Sequence, residues 1–273
     1  MSSLLLAALF AGLVATAVTV AIERFGGRVG GLLGTLPTTI VPASLGILAA
    51  SDAPEDVAAA MYVVPGGMLI NALFLWLWRA VPGRLPDASL PVRLALMTTI
   101  SLLVWLTAAV GFVSLLGWLG GGPALSRVIG YGSTAAIIVV GMLACLRATP
   151  SPRGARPVSI PVLVSRGLLA ATAIGFAVWL TRVGGPVAAG VASVFPAIFL
   201  TTMVSLWMAQ GEAVPAGAVG PMMLGSAAVA TYALIAAWSL PTMGPWGGTL
   251  VAWVGAVLTT TLPAAEWLRR RAG

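Results

Sequence analysis

Long apolar runs alternate with short polar connections along the whole chain. Nine runs are long enough to cross a bilayer as helices, at about 3–22, 28–50, 57–78, 94–118, 128–146, 160–181, 186–209, 214–239 and 246–264, because about 20 apolar residues span the hydrocarbon layer. Turn-forming segments separate them: Ser51-Asp52-Ala53-Pro54-Glu55-Asp56, Pro82-Gly83, Gly120-Gly121-Gly122-Pro123 and Thr149-Pro150-Ser151-Pro152. The stretch 147–159 is the longest hydrophilic segment and reads as a flexible linker. The first run has no basic residue before it and is followed at once by further apolar runs, so it reads as a retained span and not a cleaved signal. The pattern predicts an all-α polytopic membrane protein.

The basic residues orient this pattern. All fourteen are arginines. With the N-terminus outside, Arg24, Arg28, Arg79, Arg84, Arg93, Arg147, Arg153, Arg156, Arg166, Arg269, Arg270 and Arg271 fall on the cytoplasmic side, and only Arg127 and Arg182 fall outside. Cytoplasmic loops carry the arginine excess, so this orientation is preferred, with the C-terminus inside a bacterial cytoplasmic membrane. Trp76, Trp78, Trp118 and Trp267 lie near span ends, where their rings suit the headgroup layer.

Composition adds what the chain lacks. Of 273 residues, 59% are hydrophobic and 8% charged, against about 25% charged in a soluble domain. Nine spans leave no room for a sizeable soluble domain. The net charge of +7 is spread over singly placed arginines, so nucleic acid is not an expected partner. There is no histidine and one cysteine, Cys145, which argues against zinc, haem or iron–sulfur sites. Without histidine or lysine no serine or threonine has an activating base, and an enzyme is not expected. No carboxylate lies deep in a span, which argues against a proton relay.

One pattern occurs twice. Arg24, Gly26-Gly27, Pro37 and Pro65 are matched by Arg182, Gly184-Gly185, Pro196 and Pro221. The arginine-to-proline spacing is 13 in one and 14 in the other, and the proline-to-proline spacing is 28 against 25. Chance recurrence of glycine and proline is one reading; duplication explains four features in one order. Copy one then occupies spans one to four and copy two spans six to nine. The offset is five spans, so equivalent helices cross in opposite directions. The expected domains are repeat 1 over 1–120, a connecting span and linker over 121–159, and repeat 2 over 160–273. Such a 4+1+4 inverted-topology repeat is a transporter-type architecture. Arg182 lies on the face that topology disfavours; it either caps helix carbonyls or binds an anion.

Spans two, three, seven and eight carry the chemistry that is available. Pro37 and Pro196 free backbone carbonyls that lipid cannot satisfy, and hydroxyls lie nearby. One reading is a set of kinked helices packed through glycine. The other is a midplane site built from interrupted helices, with Thr38, Thr39, Asn71, Ser193, Thr201 and Ser226 binding solute and Pro37, Pro65, Pro196, Pro221 and the four repeat glycines shaping the backbone.

The stretch Ala188-Ala189-Gly190-Val191-Ala192-Ser193-Val194-Phe195-Pro196-Ala197, ending near Gln210-Gly211, resembles the GlpM-like small bacterial inner-membrane proteins, as does the Gly-rich stretch containing Pro37. The first copy has Leu36 where the second has Phe195. The resemblance implies two four-helix units fused in tandem and a role in envelope or solute handling; it implies no catalytic residue or cofactor. The expectation is a transporter or channel for a small neutral or anionic solute. The alternative is a non-transporting scaffold or accessory subunit in envelope biogenesis. The expected partners are the bilayer, the solute, and a second copy of the chain in a homodimer.

Overall fold

The fold is described from a computed structural model over residues 8–10, 12–13, 16, 36–120, 122–146, 160–211 and 213–272. Among the described residues there is no β-strand. In chain order the helices are α1 (Ile40–Ala50), α2 (Pro54–Ala80), α3 (Leu90–Trp118), α4 (Pro123–Leu146), α5 (Ile160–Val183), α6 (Gly185–Ala192), α7 (Ala197–Gln210), α8 (Ala213–Ala256) and α9 (Leu262–Ala272), the last two joined by a π-turn over Val257–Thr261. Five described stretches are long and apolar enough to cross a membrane: Pro54–Ala80, Leu90–Trp118, Pro123–Leu146, Gly185–Met208 and Ala216–Arg271. The chain is an all-α protein of polytopic membrane type. The first run and the early part of the second, with Arg24, Gly26 and Gly27, lie largely outside the described residues.

Local sequence explains the helix ends. Proline occupies the first turn of α2, α3 and α6, where its missing N–H costs nothing. Glu55 and Asp56 in the first turn of α2, and Arg79 in its last, complement the helix dipole. Pro65 stays inside α2 and Pro221 inside α8, so neither ends its helix. Arg182 sits in the last turn of α5, the helix-end position expected of it.

The stretch Ala216–Arg271 holds 56 residues. As a straight helix it would be roughly 84 Å long, far more than a hydrocarbon layer of about 30 Å. Gly244, with φ 73° and ψ −177°, folds it back on itself. Ser239 Oγ donates to Gly248 O at 2.8 Å, Gly255 faces Ile235, and the hydroxyls of Thr231 and Thr260 meet at 2.7 Å. These pairs are the rungs of an antiparallel helical hairpin.

The centre of the bundle is α2 packed along α8. In α2, 72% of the most apolar window is buried, against 22% in α3 and in α4. The outer helices turn Leu103, Leu106, Val110, Val128 and Val139 outward; so continuous an apolar surface belongs in lipid, not water. α4 contacts both α2 and α8. Gly141 and Gly220 admit that contact, lying against the backbone of Leu224 and Cys145.

Two contacts align the helix ends. Arg79, at the end of α2, donates to Ala144 O at 3.0 Å and to Ala216 O at 3.1 and 3.2 Å. It therefore gathers the end of α2, the end of α4 and the start of α8 at one face. Ser44 and Tyr232 share a buried hydrogen bond of 2.8 Å between α1 and α8. Trp78 is fully buried, edge-on to Trp207 of α7 at 5.8 Å. It packs the core and is not a headgroup ring, because α7 covers it. Trp76 and Trp118 are exposed, as a lipid-facing ring would be.

Candidate functional site

The seventh span is broken. α6 ends at Ala192 and α7 begins at Ala197. Val194 and Phe195 close short turns onto Val191 O and Ala192 O at 3.3 and 3.1 Å. Pro196 offers no N–H, and its φ of −76° and ψ of 38° are not helical. Ala197 N then reaches back across the proline to Phe195 O at 2.8 Å, the bond of a three-residue turn. The first regular bond of α7 runs from Leu200 N to Pro196 O at 2.7 Å.

Pro37 has the same local geometry. Thr38 N reaches back to Leu36 O at 2.8 Å, and α1 begins two residues later. Pro37 thus stands before α1 and not inside it. A sequence reading puts both prolines near the middle of a helix; the folded chain uses each to start one.

The break frees the Val194 carbonyl, which in a continuous helix would accept the Ile198 N–H. Asn71 of α2 takes it: Nδ2 donates to Val194 O at 2.7 Å. Asn71 Oδ1 in turn accepts the Trp105 Nε1 proton at 2.7 Å, and Trp105 stands edge-on to Phe195 at 5.2 Å. Asn71, Trp105, Phe195 and Val194 close a ring of contacts that holds the break from two neighbouring helices.

Glycine makes the approach close. A Cβ at Gly67 would press on Val194 and Val191, and one at Gly190 would run into the Ala60 carbonyl. Gly66, next to Pro65, leaves room for the Phe112 ring.

Of the other proposed binding residues, Ser193, Thr201 and Ser226 are buried and bonded locally. Asn71 is 1% exposed, Ser193 6%, Thr201 6% and Ser226 2%. Ser193 Oγ donates to Gly190 O at 2.7 Å, Thr201 Oγ1 to Ala197 O at 2.9 Å, and Ser226 Oγ to Met223 O at 2.6 Å. Thr39 precedes α1 without a side-chain cap. Thr38 Oγ1 is buried with no hydrogen-bond partner among the described residues. The structure brings Asn71 and the break around Pro196 together. Thr201 and Ser226 return their hydroxyls to their own helices.

Two partners escape the sequence reading: Trp105 and Tyr232, both in the middle of apolar helices. Their signal was present, because a mid-span ring with an N–H or O–H needs an acceptor or donor inside the bundle. The arginines at the α2 end also do more than set topology. Arg93 donates to Leu85 O, Pro86 O and Pro82 O at 3.1, 2.8 and 2.9 Å, fixing the turn after α2. No family model, curated protein or solved structure matches the chain.

Proposed function

We propose that the chain is a transporter or channel for a small neutral or anionic solute, built as a 4+1+4 inverted repeat of two GlpM-like units in a bacterial cytoplasmic membrane, N-terminus outside. The observation that carries this reading is the pair of proline turns. Leu36-Pro37-Thr38 and Phe195-Pro196-Ala197 share one back-bond, at 2.8 Å in both; the first precedes α1, and the second separates α6 from α7. Discontinuous helices are costly in lipid and are tolerated where they are buried or line a path. A half-helix N-terminus supplies unpaired N–H groups and the positive end of a dipole. Such an end suits a carboxylate, an inorganic anion or a carbonyl group.

In this reading the structure is the closed state. Asn71 and Ser193 occupy the hydrogen-bonding capacity of the break, and a solute that entered would exchange with those bonds. A second reading, a non-transporting scaffold, has one observation in its favour. The contact of α2 with α6 is glycine-packed, and its polar side chains bond to backbone.

Flux separates the two. The full chain in liposomes is challenged with glycerol, urea, chloride and phosphate in stopped-flow light scattering. Transport requires that at least one of them crosses faster than through protein-free vesicles, and that Asn71→Ala changes that rate. No acceleration with any of them favours the scaffold.

A further inference from the structure

At the end of the bundle away from Arg79, α1 finishes at Ala50, α2 starts at Pro54 and the α8 hairpin turns at Gly244. An open groove of about 590 Å³ runs between them. Its walls are Leu45, Leu48, Leu240, Pro245 and Trp246, and Asp52 is its only charged lining residue among those described. Trp246 is 79% exposed at its mouth.

We propose that this groove holds an aminophospholipid, with its ammonium group on Asp52 and the start of an acyl chain against the leucines. Three features select this occupant. The volume is within the range of small-molecule sites, about 300–1,000 Å³. The groove lies at helix ends, the level of the headgroups, where an exposed tryptophan ring is favoured and can also face a cation. The charge is a single carboxylate with no basic residue in the described lining, so an ammonium headgroup is attracted and an anionic one repelled. Apolar walls give a hydrocarbon tail an advantage over a soluble amine. This site is separate from the break at Pro196 and stands whether or not the chain transports.

The test is native mass spectrometry of the full purified chain with phosphatidylethanolamine or phosphatidylglycerol added. Phosphatidylethanolamine is expected to be retained about fivefold more, the scale of one exposed ion pair at the upper end of measured strength. Asp52→Asn should remove that preference. Glu55→Gln, the same charge change outside the lining, should leave it intact. Equal retention of the two lipids, an unchanged preference in Asp52→Asn, or an equal loss in Glu55→Gln would each overturn the proposal.

Discussion

Asn71 on α2 and Val194 in the broken seventh span are 123 residues apart in sequence and joined by a hydrogen bond of 2.7 Å. The bond answers the problem that Pro196 creates. The break at Pro196 leaves the Val194 carbonyl without its in-helix donor, a group that lipid cannot satisfy, and here another helix satisfies it. Because Asn71 also accepts from Trp105, one amide joins three elements.

Replacing that amide should therefore cost more than a single bond. Asn71→Ala leaves a buried carbonyl and a buried indole N–H unpaired, a loss of about 2 kcal/mol. Trp105→Phe leaves only Oδ1 short of a partner, about 1 kcal/mol. Equilibrium unfolding in detergent should show the double variant losing less than the two singles together, since they remove one network. Additive losses would mean that the two side chains act independently.

Glycine packing gives a contrast between two helix positions. At Gly190 an added Cβ meets the Ala60 carbonyl, whereas at Gly132 it meets nothing within 4 Å. Gly190→Ala should destabilise the protein by about 2–3 kcal/mol through overpacking. Gly132→Ala should leave stability unchanged or slightly raised, because alanine is the better helix former. Thermal unfolding of the two variants side by side checks the pair.

The repeat makes a prediction about sides. If the two halves are inverted, Arg24 and Arg182 lie on opposite faces of the membrane. In a Cys145→Ala background, Arg182→Cys should react with an impermeant thiol reagent added to intact cells, and Arg24→Cys only after the membrane is opened. Reaction of both from outside would end the inverted arrangement.

Glu266 lies in the C-terminal helix α9, past the end of the ninth apolar run and beside Arg269 and Arg270. Hydrogen bonds from Arg269 and then Arg270, at 2.6 and 2.7 Å, hold its carboxyl down to about 2 from the usual 4.5. A depressed carboxylate stabilises the folded helix above its ordinary value and loses that contribution as pH falls toward 2. Carbon-detected NMR titration should place the Glu266 midpoint near 2. A midpoint near the ordinary value would mean that the arginines do not hold it.

Much of this was legible in the pattern of residues. The spans from Pro54 to Trp118 follow the apolar runs, and the α8 hairpin turns within the gap left between the last two. The effect of each proline was less legible. Pro65 and Pro221 remain in continuous helix, while Pro37 and Pro196 precede the starts of α1 and α7. A proline removes the same N–H at every position. Where a helix breaks, a neighbour must take the carbonyl that the break frees, and Asn71 reaches Val194 only once α2 and α6 are packed. Sequence spacing along one helix carries no record of which helix faces it. Thr38 and Ser193 were visible as hydroxyls beside a proline; that Ser193 bonds to Gly190 and Thr38 to nothing among the described residues is a product of packing.

Transport requires that water and solute reach the proline breaks. Ser193→Cys and Thr38→Cys in a Cys145→Ala background, treated with a small water-soluble methanethiosulfonate, report that access. Ala177→Cys, at a fully buried position of α5, serves as the dry reference. Both break positions should react faster than Ala177→Cys. A rate at Ser193→Cys no higher than at Ala177→Cys would refute access and leave the break a structural joint.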